Sequence, residues 1–67
     1  MNNPIDIYDY LTSRILESVS IYEDGSRITV SWLEGRRVRN ISRAYTPEKA
    51  ERVCEALVND VHRAMGY

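Results

Sequence analysis

The sequence is short of the residues that build compact chemical centres. It has one cysteine, Cys54, and one histidine, His62. A single thiol excludes a disulfide within the chain and any zinc site built on cysteines. Asp60 lies two residues from His62, and a helix turns the two side chains to different sides, so they make no ligand set. His62 is therefore expected to be an exposed helical side chain. Cys54 falls within an apolar stripe and is expected to pack as a small core hydrophobe, without the base that would activate it. The serines have no recognisable histidine partner, which leaves nucleophilic catalysis without support. Of the three glycines, Gly25 and Gly35 stand alone in turns, so no glycine-rich loop cradles a phosphate. Apolar runs extend only a few residues, too short to span a membrane. These absences predict a protein that is not an enzyme and that holds neither cofactor nor metal. A lone cysteine and the lack of a signal peptide predict a reducing, cytoplasmic location.

Charge is present and unevenly spread. The formal net charge of the 67 residues is −1. Residues 1–26 carry five acids (Asp6, Asp9, Glu17, Glu23, Asp24) against Arg14, a net of −4. Residues 27–43 carry five arginines (Arg27, Arg36, Arg37, Arg39, Arg43) against Glu34, a net of +4. Such a split creates a surface field that steers a charged partner, although small domains also segregate charge without functional consequence.

The hydrophobic pattern predicts one domain over residues 1–67 with the order α-β-β-β-α. A first helix over about 4–18 has Asn3 as its cap and Pro4 at its first position. Ile5, Tyr8, Leu11, Thr12, Ile15, Leu16 and Val19 recur on one side of it. "YEDGSRITVSW" sets an Asp-Gly pair between alternating runs, which predicts a hairpin of strands 19–23 and 27–33. Ile28, Val30 and Trp32 face one side of the second strand, and Thr29 and Ser31 the other. "EGR" makes a second turn into a strand over about 37–43. There Val38 and Ile41 are three apart, which predicts a bulge or an early end to pairing. "YTPEKAERVCEALVNDVHRAM" predicts a helix over about 47–65, capped by Thr46 and ended by Gly66. The expected fold class is α+β: a three-stranded antiparallel meander with both helices packed on one face.

In element order and length the chain resembles the double-stranded RNA-binding domain. That family opens its second helix with lysines that meet phosphates across the major groove. The corresponding "TPEKAERV" has Pro47 and Glu48 where the first lysines would stand, Glu51 one turn on, and only Lys49 as a base. Carboxylates there repel phosphates and forfeit the counterion release that drives such binding. A second resemblance lies in "VSIYEDGSRITVSWLEGRRV". It is similar to the hairpin of small phage-encoded anti-CRISPR proteins that inhibit type I surveillance complexes, with a similar Tyr-Glu-Asn-Gly-Ser-Lys-Ile turn. The resemblance implies an inhibitor in the bacterial cytoplasm that binds a DNA-binding subunit of a type I CRISPR effector and imitates phosphate charge.

Two sets of side chains follow as candidates. The acidic set for a protein partner is Asp6, Asp9, Glu17, Glu23 and Asp24, with Tyr10 and Tyr22 as aromatic anchors. The fold is expected to place these acids in two patches at opposite ends of the sheet. The alternative is nucleic-acid contact through Arg36, Arg37, Arg39 and Arg43, which also suit a solvated edge strand protected by its charge or contact with an acidic protein. No membrane contact is expected, and the chain is expected to be a monomer.

Overall fold

The strict alternation in "RITVSWLE" states which side of a strand is buried. The computed structural model describes residues 5–66 and makes this stretch the central strand, β2 (Arg27–Glu34). Ile28, Val30 and Trp32 are buried, whereas Thr29 and Ser31 on the other face are half-exposed. Strand β1 (Ser20–Glu23) pairs antiparallel along one side of β2, from Ser20↔Ser31 to Glu23↔Ile28. Strand β3 (Arg37–Ala44) pairs along the other side, from Arg27↔Ala44 to Glu34↔Arg37. With a helix before and a helix after, the described residues form the expected α-β-β-β-α meander.

The expected disruption of β3 does not occur. Its pairing is continuous, so Val38 and Ile41 lie on opposite faces. Ile41 pairs with Val30 and packs against the core, while Val38 pairs with Leu33 and stays exposed. An edge strand needs only one apolar side chain in the core here. Its core-side neighbours are arginines, whose stems can lie along the protein while their heads remain in water.

Helix α1 (Ile7–Arg14) is shorter than the expected 4–18. Asn3 and Pro4, the expected cap and first residue, lie outside the described residues. Asp6 is the cap observed, its carboxylate accepting the Asp9 N–H at 3.1 Å. At the other end Ile15 turns extended, with φ −102° and ψ 104°, and is buried, whereas Leu16 is 86 % exposed. The apolar periodicity therefore outruns the helix. His62 Nε2 lies 3.0 Å from the Arg14 carbonyl oxygen, a tertiary contact for a helix end whose last carbonyls have no internal partner. This also revises the expectation for His62, which is half-buried at the α1 terminus.

A 3-10 turn over Pro47–Lys49 leads into α2 (Ala50–Met65). Thr46 stands in the capping position with extended backbone but makes no side-chain capping bond. Gly66 closes α2 at φ +89°, where a Cβ would be strained, and its N–H reaches the carbonyls of His62 and Arg63. Cys54, Leu57, Val58 and Val61 of α2, with Leu11 and Ile15, cover Ile28, Val30 and Trp32 on one face of the sheet. Burial of the Cys54 thiol pushes its pKa up, which opposes thiolate chemistry. Among the described residues, the other sheet face carries no helix.

Candidate partner-binding surface

The β1–β2 turn draws its geometry from its own acids. Asp24 Oδ1 accepts the N–H groups of Ser26 at 2.9 Å and Arg27 at 2.8 Å, and the Ser26 hydroxyl at 3.1 Å. Gly25, at φ +94°, supplies the left-handed backbone that lets those amides converge. Hydrogen bonds from the Ser26 and Arg27 amides favour the ionised form and lower the Asp24 pKa, so its charge is held in place. Glu23 Oε1 accepts the Gly25 N–H at 2.6 Å and also the Tyr45 hydroxyl, which arrives from the end of β3.

The Tyr45–Glu23 contact has a measurable signature. The hydrogen bond to Glu23 is the main cause that raises the Tyr45 pKa to about 12, aided by desolvation and by the Glu23 and Asp24 charges. A raised folded-state pKa means that this stabilisation is complete below pH ~10 and is lost as pH rises through about 12. Phenolate absorbance should therefore resolve one late-titrating tyrosine, and Glu23→Gln should bring its midpoint down towards the ordinary value.

The remaining acidic candidates are spread around β1. Asp9 is exposed in the first turn of α1, beside the cap Asp6. Glu17 lies three residues before β1, and Glu23 ends the strand with Asp24 next to it, so β1 runs between Glu17 and the turn acids. Glu17 and the turn acids thus lie at opposite ends of β1, and Asp6 and Asp9 belong to the start of α1. Glu17 also lines a groove of about 670 Å³ with Tyr22, Leu33, Glu34, Val38 and Met65.

The two aromatic candidates differ. Tyr22 is 60 % exposed and belongs to the outer sheet face, paired with Thr29. Tyr10 is half-buried and packs against the core, and the Arg14 guanidinium lies 3.7 Å from its ring centroid. A cation already covers that ring, so Tyr22 is the better placed anchor.

On β3, Arg37, Arg39 and Arg43 share the core-side face, opposite Glu34, Trp32 and Ile28. Arg39 forms an ion pair with Glu34 at 3.1 Å and stands 6.0 Å from the Trp32 ring. Arg43 closes onto Asp60 of α2, with Nε to Oδ2 at 2.8 Å. Arg36 and Arg37 enter no ion pair among the described residues. The structure also adds apolar members to the surface: Leu33 and Val38, cross-strand partners exposed on the outer face. Their positions were implicit in the parity of β2, because Leu33 follows Thr29 and Ser31. Among the described residues, no group of three or more His, Cys, Asp or Glu side chains is placed to hold a metal ion, and no helix is long and apolar enough to cross a membrane.

Comparisons with protein-family models, curated proteins and solved structures return no match.

Proposed function

We propose that the protein is a non-catalytic inhibitor of a type I CRISPR effector. It binds a DNA-binding subunit through its acidic surface and excludes target DNA. One observation carries this choice. Asp6, Asp9, Glu23 and Asp24 form no ion pair with lysine or arginine among the described residues, whereas Arg39 and Arg43 are each closed onto a carboxylate. The field of the arginine strand is partly cancelled from within, while that of the acidic segments extends into solvent. Asp24 and Asp6 are also oriented by backbone amides, so their charges are preorganised for a cationic surface. A carboxylate has about four acceptor sites, so those bonds leave each acid with capacity for a partner. The hairpin resemblance supplies the effector class, and Tyr22 offers an exposed aromatic contact beside the acids.

The experiment is a gel shift of labelled target duplex by purified type I effectors. Added protein should lower the fraction of DNA bound, with less effect at high salt. Unchanged binding across the subtypes would overturn the proposal.

A second reading is duplex contact through Arg36 and Arg37, favoured by their lack of an internal ion-pair partner. It predicts direct binding of DNA or RNA duplex that falls steeply with added salt.

A further inference from the structure

We infer that the outer edge of β3 accepts an extended acidic segment of a partner protein as a fourth strand. The hydrogen-bond parity of the sheet identifies the available groups. The Tyr45 N–H donates to the Ser26 carbonyl at 3.0 Å, just beyond the Arg27↔Ala44 pair. Bonded and non-bonded pairs alternate in an antiparallel ladder. Counting from Ser26 and Tyr45, the pairs Ile28↔Arg43, Val30↔Ile41, Trp32↔Arg39 and Glu34↔Arg37 therefore exchange the bonds between β2 and β3. The N–H and C=O groups of Val38, Asn40, Ser42 and Ala44 point away from β2. All four residues are exposed. No backbone partner outside the sheet takes these groups among the described residues.

This edge has few of the features that ordinarily blunt one. It is eight residues long, continuously paired on its inner side, and free of proline. The opposite edge, β1, has only four residues. Charge is the one protection that β3 retains, and charge selects its occupant. Antiparallel pairing with a second copy would bring arginines of one sign towards each other along the same face, which is unfavourable. An acidic strand has the opposite effect. Its carboxylates, at every second position, would meet the face of Arg37, Arg39 and Arg43. Its intervening side chains would lie along Val38, Asn40, Ser42 and Ala44, where small or β-branched residues fit. Glu34 and Asp60 already neutralise two of these arginines, so Arg37, with Arg36 at the turn, supplies the unpaired positive charge.

The test uses a labelled, end-capped peptide of alternating glutamate and valine, measured by fluorescence anisotropy against the full chain. Saturable binding is expected. Asn40→Pro removes an outward N–H while leaving the bonds to β2 intact, which edge strands tolerate. It should weaken binding by about tenfold through lost main-chain bonds, with an unchanged circular dichroism spectrum. In the unsubstituted chain, amide exchange gives an independent readout. Peptide should slow exchange at Val38, Asn40, Ser42 and Ala44. Equal affinity in the folded Asn40→Pro variant, or protection confined to β1, would overturn the inference. So would a concentration-dependent dimer that Asn40→Pro abolishes, because the edge would then take a second copy.

Discussion

Leu57→Ala is expected to abolish the native fold at physiological temperature. Leu57 is fully buried in the middle of α2, packed in the cluster that joins both helices to Ile28, Val30 and Trp32. Truncating a buried leucine removes its transfer free energy and leaves a cavity, at a cost of about 2–5 kcal/mol. A core of this size rarely supplies more than about 3–5 kcal/mol of net stability, so one truncation approaches the whole margin. Thermal unfolding followed by circular dichroism should show the cooperative transition lost or shifted far down. Leu16→Ala removes the same atoms from a side chain 86 % exposed and should leave the transition within about 0.5 kcal/mol. Similar effects of the two substitutions would contradict the placement of the core.

The second large effect concerns binding without unfolding. Asp6→Asn, Asp9→Asn, Glu23→Gln and Asp24→Asn, combined, remove four negative charges but keep an oxygen acceptor at each position. The α1 cap survives because asparagine serves as well as aspartate there. The turn keeps acceptors for the Gly25, Ser26 and Arg27 amides. Inhibition of the effector should nevertheless weaken by on the order of a hundredfold, since close charge pairs at an interface couple strongly. The melting transition should move little by comparison. Full inhibition by the folded quadruple variant would show that the acidic residues only keep the chain in solution.

Much of this arrangement was legible in local pattern. Asp24-Gly25 between alternating runs located the hairpin, and the parity of Ile28, Val30 and Trp32 identified the buried face. Pro47 and Gly66 bracketed the second helical segment. What escaped the pattern depends on distant partners. Ile15 and Leu16 continue the helical period of α1, yet the helix stops at Arg14, where His62 arrives from α2. Val38 and Ile41 suggested a bulge because both were assigned to the core, whereas an exposed valine opposite Leu33 keeps the ladder regular. The acidic residues were readable as a segment, but their environments were not. Tyr45 is 22 positions from Glu23, and Asp60 is 17 from Arg43. Only the packed structure reveals that Arg39 and Arg43 are closed onto carboxylates, whereas Asp6, Asp9, Glu23 and Asp24 form no ion pair among the described residues.

That asymmetry is the physical basis of the proposed competition with DNA. The direct measurement is the apparent dissociation constant of target duplex for a purified type I effector at increasing concentrations of the protein. A shared, cationic DNA-receiving site predicts an apparent constant that rises in proportion to added protein, with excess DNA displacing the protein in return. An effector that binds the protein yet keeps an unchanged affinity for DNA at saturation would contradict the account.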